Sequence, residues 1–330
     1  MTQRRQDEGN ELYFDIDTLI NVNLMIMLTV GFTFTYMMEG FPNFAHTTYT
    51  AVGAIASFYL TKFYQINPYL TWPLAAIFGG LVGSFMYLCI VRPIRRNGGY
   101  QDITLTLTFI VLATVMPSLF YIFNWWARYL AGTNTRGYNL RAYDFVWNGV
   151  PGIAITSTTA CLLIVLGLRY FLTQSKLGLS LRAVSENPDL AATIGVDTLR
   201  AHTVSWFISG ALAAVVGSIM TLYRGATITG PDGLIISIIA GAVIGGVYSI
   251  YGAIIGGLFV ALAQDLMKDF FYVLFGLSIE SWSQLLPLSF LITALMLFPN
   301  GIFGPAGFNL DELKNKIKLL RLRFSRRLLE

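Results

Sequence analysis

Charge is missing from long stretches of this sequence, and that absence limits the fold more than any motif does. The runs 18–38, 40–61, 63–91, 103–127, 145–168, 203–223, 233–264 and 281–310 contain no Asp, Glu, Lys or Arg. Each exceeds the roughly 20 residues that a helix needs to cross a bilayer core. In hydrocarbon, backbone N–H and C=O groups must find partners without water, which favours helix for runs of this length. Only 12% of the 330 residues are charged, against about 25% in a soluble domain. The expected fold class is all-α: a polytopic transmembrane helical bundle of eight or nine membrane segments.

Three parts follow from the charge map: a polar segment 1–17, a membrane part 18–305 and a basic tail 306–330. Membrane crossings are expected near 18–38, 47–62, 69–91, 103–123, 151–170, 203–223 and 284–298. The run 233–264 is read as two short helices. Arg92-Pro93-Ile94-Arg95-Arg96 is the strongest cytoplasmic signal, because short loops rich in Arg and Lys stay inside. Counting from it puts 124–150, with Trp125, Trp126, Tyr129, Tyr138, Tyr143 and Trp147, outside. Residues 173–201 and the C-terminus come inside, and the N-terminus outside. In the tail, Leu313, Ile317, Leu320, Phe324 and Leu328 recur at helical spacing among seven Lys and Arg. That pattern suits an amphipathic helix on the inner membrane surface, with a solvated coil as the alternative. The net charge of +4 sits at the ends of apolar runs and forms no nucleic-acid-binding stripe.

Two polar breaks interrupt the apolar text. One is Glu39-Gly40-Phe41-Pro42-Asn43-Phe44-Ala45-His46; the other is Gly245-Gly246-Val247-Tyr248-Ser249-Ile250-Tyr251-Gly252. Helices beside such breaks are expected to be short or re-entrant, since non-helical backbone at membrane depth needs protein or a wet cavity around it. Asn43 and His46 could offer hydrogen bonds to a path, or His46 could simply cap a turn. Gly245, Gly246 and Gly252 could line the path or only let helices approach closely.

A third feature is the polar island 176–195. Asn187 is a good N-cap, Pro188 fits the first helical position, Asp189 suits the positive helix end, and Gly195 can close the helix in the left-handed region. That gives about seven helical residues, a length that persists only when packed on something. The reading is a docking knuckle facing the cytoplasm, with an ordinary solvated loop as the alternative. No Gly-x-x-x-x-Gly-Lys-Ser/Thr phosphate loop occurs, so the chain is not a P-loop ATPase. His46 and His202 stand far apart, and Cys89 and Cys161 read as small buried hydrophobes. Helix interiors are expected to lack carboxylates, with Glu39, Asp232 and Asp265 at segment ends. Ion coupling through carboxylates is therefore disfavoured, and the energy for any transport would come from another subunit. An ion-coupled secondary transporter is the alternative.

Ordered motifs along most of the membrane part resemble one family. Asn43-Phe44-Ala45-His46, Arg92-Pro93-Ile94-Arg95, Gly178-Leu179-Ser180-Leu181-Arg182-Ala183 with Glu186 through Gly195, the glycine pairs Gly245-Gly246 and Gly256-Gly257, and Pro299-Asn300-Gly301-Ile302-Phe303-Gly304 are similar to stretches of branched-chain amino acid ABC importer permeases of the shorter type. The resemblance implies a permease working by alternating access. It implies a second homologous permease, two ABC ATPase subunits that use the ATP, and an extracytoplasmic solute-binding protein. The chain itself would bind no cofactor or metal. By this likeness Gly178, Arg182, Ala183, Glu186, Asn187, Pro188, Asp189, Ala192 and Gly195 couple to the ATPase. Asn43, Phe44, His46, Gly245, Gly246, Tyr248, Tyr251 and Gly252 fall on the path. Thr47 and Thr48 after His46, and Tyr248 and Tyr251 at the central break, depart from the usual pattern and leave the solute open.

Overall fold

A computed structural model describes residues 16–96, 98, 101–131, 137–229, 233–275 and 285–297. The segment 1–15, the Pro231-Asp232 turn, the Pro299–Gly304 ending and the basic tail lie outside the described residues. The helices are α1 (Ile16–Glu39), α2 (Thr48–Tyr64), α3 (Thr71–Met86), α4 (Arg92–Arg96), α5 (Gln101–Ala131), α6 (Gly152–Gln174), α7 (Lys176–Glu186), α8 (Pro188–Thr193), α9 (Thr198–Tyr223), α10 (Ile235–Gly245), α11 (Ile250–Phe275) and α12 (Leu285–Leu297). Six helical stretches are long and apolar enough to cross a membrane, and α10 and α12 are shorter apolar helices. The chain is a multi-pass helical membrane bundle.

Helix α9 is the axle. It packs against α1, α2 and α3, and its buried face carries Ser205, Ser209, Gly210, Ala213, Ala214, Gly217 and Ser218. Small residues let helix backbones approach where lipid offers no hydrophobic drive for association. A Cβ on Gly217 would collide with the Thr50 carbonyl of α2, and one on Gly53 with the Ala214 carbonyl. A buried hydroxyl relay crosses the same seam: Thr71 Oγ1 donates to Ser57 Oγ at 2.8 Å, and Ser57 Oγ donates to Ser218 Oγ at 2.8 Å.

Several boundaries differ from the sequence reading. Trp125, Trp126 and Tyr129 lie in the last turns of α5 and not in a loop. Part of the following connection folds as a small hairpin, β1 (Val146–Trp147) with β2 (Val150–Pro151), turned by Asn148 and Gly149 at φ 50° and 82°. Asn-Gly is the pair such a tight hairpin turn favours. The helical run that begins as α3 does not stop at the Arg-Pro-Ile-Arg motif. It passes through a π stretch, Tyr87–Val91, into α4. Pro93 supplies the cause, because its ring clashes with the carbonyl four residues earlier and a widened turn relieves this. The run 233–264 yields one short helix, α10, and one long one, α11, and not two short ones.

Two chemical expectations are corrected as well. Asp265 lies inside α11, half-buried, accepting from Asn21 Nδ2 of α1 at 3.3 Å and paired with Lys268 at 3.2 Å. A lysine three residues on partly neutralises it, so the uncharged run ended there while the helix continued. Cys161 is buried, but Cys89 is exposed on the face that also shows Leu88 and Phe85. For a helix bathed in lipid an apolar residue is as content outside as inside.

Candidate functional site

Three polar constructions stand out of the apolar bundle, and they share its architecture. The first is the knuckle. Ser175 caps α7, its Oγ accepting from Gly178 N at 2.9 Å, and Asn187 caps α8, its Oδ1 accepting from Leu190 N at 2.9 Å. Gly195 follows with φ 87°. The short capped helix read from the sequence is present as α8, and the stretch before it is an additional eleven-residue helix, α7. Gly178 sits so close to the end of α6 that a Cβ would strike the Phe171 carbonyl. Arg182 Nη2 donates to the Leu172 carbonyl, closing the α6–α7 corner. Leu181, Val184 and Ala191 are buried beneath, while Arg182, Glu186, Asn187, Pro188, Asp189, Ala192 and Gly195 are exposed and Ala183 is partly covered.

Sequence reasoning missed the knuckle's most unusual property. Leu190 and Ile194, at i and i+4, are 62% and 73% exposed at the tip of a polar segment. Ile194 is the C-cap of α8, its N–H donating to the Leu190 carbonyl at 3.4 Å, and that i, i+4 spacing puts both side chains on one side of the last turn. The signal was in the text: two large apolar residues among polar ones.

The second construction ties together the helix ends beside the knuckle. Glu39, the last residue of α1, has a fully buried side chain. His202 Nδ1 lies 2.7 Å from Oε1, Trp206 Nε1 donates to the same oxygen at 3.0 Å, and Arg95 Nη2 of α4 lies 2.9 Å from Oε2. Arg95 also donates to the Glu39 carbonyl, and Tyr87 from the π stretch stacks on the His202 ring, centroids 5.4 Å apart. One carboxylate thus joins α1, α4 and the first turns of α9, which α8 leads into directly. The sequence showed Glu39 only as a charge at a helix end.

The third construction is the Asn43–His46 turn. Leu28 lies eleven residues before the end of α1, about 16 Å along the axis at the usual rise. His46 Nε2 makes a 3.2 Å hydrogen bond with the Leu28 carbonyl, and Nδ1 a 3.3 Å one with Ser209 Oγ. The chain after Gly40 (φ 73°) therefore climbs back beside α1 to its middle before α2 begins. This is the irregular backbone at depth expected of the first break, and protein surrounds it. Asn43 and His46 are fully buried, and Phe44 is half-buried. Replacing His46 by alanine should remove both polar contacts and the edge packing on Phe32 and Tyr49. We expect destabilisation by about 2–4 kcal/mol, measurable as a fall in the thermal unfolding midpoint in detergent.

The second break lies elsewhere. Gly245, Gly246 and Gly252 are buried at the α10–α11 crossing, while Tyr248 and Tyr251 are 53% and 55% exposed near the knuckle. A Cβ on Gly245 would strike the Gly252 carbonyl, so close packing is one role these glycines have. The two breaks are not adjacent, but a row of aromatic contacts on α1 connects them. His46 meets Phe32 edge-on at 6.0 Å, Phe32 meets Tyr36 at 6.3 Å, and Tyr36 meets Tyr248 at 5.7 Å between centroids. Phe32 and Tyr36, one helical turn apart, were not singled out from sequence.

The fold and site define a many-helix membrane bundle with a capped polar knuckle and broken helices, and comparison with known proteins gives the family. Residues 16–296 match the family model described as the permease component of branched-chain amino acid transport systems. The chain belongs to that family of membrane transport permeases. It is 30% identical over 299 residues to the probable branched-chain amino acid transport permease protein LivH of Methanocaldococcus jannaschii, covering 91% of this chain and 94% of the relative. It is 27% identical over 298 residues to the high-affinity branched-chain amino acid permease LivH of Escherichia coli strain K12, covering 84% and 90%. BraD of Pseudomonas aeruginosa is 25% identical over 309 residues, covering 89% and 97%. Among solved structures, PsaBC from Streptococcus pneumoniae in complex with Fab has a similar fold, with TM-score 0.50, 16% identity, and coverage of 92% of this chain and 98% of that one.

Proposed function

We propose that this chain is the membrane-spanning permease subunit of an ATP-driven importer of branched-chain or other amino acids, or of a related small polar solute, working by alternating access. The observation that carries the reading is the exposed pair of Leu190 in the capped helix α8 and Ile194 at its C-cap. A solvated loop has no use for two apolar side chains at its tip; a surface that docks a motor does. Two ABC ATPase subunits grip the knuckles of a permease pair, a second homologous permease completes the pathway, and an extracytoplasmic binding protein delivers the solute. ATP is used by the ATPases. The arginines of α4 and the basic residues around α7 share one end of the bundle, which the positive-inside rule makes cytoplasmic. The N-terminus is then outside and the C-terminus inside, with α2, α10 and α12 counted as membrane segments beside the six long stretches.

In this mechanism the α7–α8 unit moves as a lever. Its motion passes through the Glu39 cluster into α1, α4 and α9, and along α1 to the Asn43–His46 turn. On inward or outward opening, Asn43, Phe44 and His46, with Gly245, Gly246 and Gly252, border the path, the Phe32–Tyr36 row links the two breaks, and Tyr248 and Tyr251 flank its cytoplasmic end. Uptake by proteoliposomes holding all subunits should require ATP and survive an ionophore. Uptake abolished by the ionophore with ATP present would favour an ion-coupled transporter instead. Leu190→Asp and Ile194→Asp change exposed side chains and should leave the bundle folded, yet weaken ATPase association by about 30-fold or more. Co-purification of the ATPases measures this, and unchanged association and uptake in both variants would refute the docking role.

A further inference from the structure

Beside the knuckle, a cavity of about 170 Å³ opens between α6, α7 and the α10–α11 break. Its polar lining is Arg169, Thr173, Arg182, Tyr248, Ser249 and Tyr251. Two arginines, one from α6 and one from α7, therefore line one small cleft, and among the described residues no carboxylate lines it. Among the described residues, neither arginine is in an ion pair: Arg182 is held by the Leu172 carbonyl, and Arg169 is exposed on α6. Two exposed arginines and several hydroxyl side chains lining one cleft suit an anion with several acceptor oxygens, since guanidinium matches phosphate in two-pronged geometry.

Surroundings of the cleft decide what carries that anion. Its other walls are aliphatic, among them Val165, Leu172, Ile250 and Ile254. From Tyr251, the exposed residues Ile255, Leu258 and Phe259 continue along α11 at i+4, i+7 and i+8. Exposed Leu162, Leu163 and Leu166 run along α6 beside its cavity-lining face. An apolar track thus leads from a cationic cleft along two membrane helices, and Tyr248 and Tyr251 stand at the mouth, where interfacial tyrosines belong. A free phosphate would use the arginines but not the track. We propose that this cleft binds the phosphate headgroup of an anionic glycerophospholipid from the same leaflet, with its acyl chains on α6 and α11. The volume suits a headgroup better than a whole organic solute, for which sites run from about 300 Å³.

The test uses the full-length chain purified in neutral detergent and titrated with phosphatidylglycerol or phosphatidylcholine, retention being read by native mass spectrometry. The wild type should hold one phosphatidylglycerol per chain in clear preference to phosphatidylcholine. Arg169→Glu should weaken that retention by about tenfold or more, as expected for losing a charge-assisted contact. Val165→Trp should fill the cleft and do the same without altering charge, while both variants keep the wild-type melting temperature. Equal retention of the two lipids, or unchanged phosphatidylglycerol affinity in both variants, would overturn the proposal. Displacement of the lipid by equimolar inorganic phosphate would also overturn it, by making the site one for a soluble anion.

Discussion

Glu39→Leu should cost roughly 3 kcal/mol of stability and reduce uptake by the assembled transporter more than tenfold. The carboxylate is wholly buried and receives Arg95, His202 and Trp206 at 2.7–3.0 Å. Removing one partner of a buried ion pair typically costs about 3–5 kcal/mol, because the other is left uncompensated. The lower figure applies here, since the Arg95 side chain is 32% exposed and water can take part of its charge. A leucine also leaves the indole N–H of Trp206 and the imidazole of His202 without their acceptor. Removing both charges, as in Glu39→Leu with Arg95→Leu, should recover part of the lost stability, the non-additivity that marks a coupled pair. It should not recover uptake, because the α1–α4 joint stays missing. Thermal unfolding monitored by tryptophan fluorescence, alongside uptake, separates the two effects. Full additivity of the single substitutions would show that the pair is not coupled.

Gly217→Leu is expected to have the largest structural effect, with little or no correctly folded protein recovered from the membrane. A Cβ at this position already meets the carbonyl, the carbonyl carbon and the Cα of Thr50, so the obstacle is α2 backbone and not a side chain that could turn aside. The helices would have to part along the whole α2–α9 seam, opening the Ser57–Ser218 hydrogen bond and the hydroxyl relay beyond it. Gly167→Leu is the control. Nothing lies within 4 Å of a Cβ there, so that variant should express and melt like the wild type. Size-exclusion profiles of the two proteins in detergent make the comparison. A monodisperse Gly217→Leu protein with wild-type stability would contradict the close packing.

How much was legible in the sequence depended on range. Uncharged runs located the membrane helices, because exclusion of charge from hydrocarbon acts on each segment separately. Asn187, Pro188 and Gly195 disclosed α8, because capping is a contact within a few residues. The helix α7 was hidden, since its stability comes from burying Leu181 and Val184 rather than from any terminal signal except Ser175. Glu39 could be read only as a charge at a helix end; its partners are 56, 163 and 167 residues away.

The sequence by itself determined that this chain is a helical membrane protein, where its charges must stay out of lipid, and that it displays a capped knuckle. Only the tertiary structure decided that the first break folds back to the middle of α1, that a buried carboxylate ties α1, α4 and α9 together, and that two arginines from different helices line one cleft. Segment-level properties follow from solvation, which each stretch feels alone. Joints and clefts depend on which distant residues packing brings within a few ångströms.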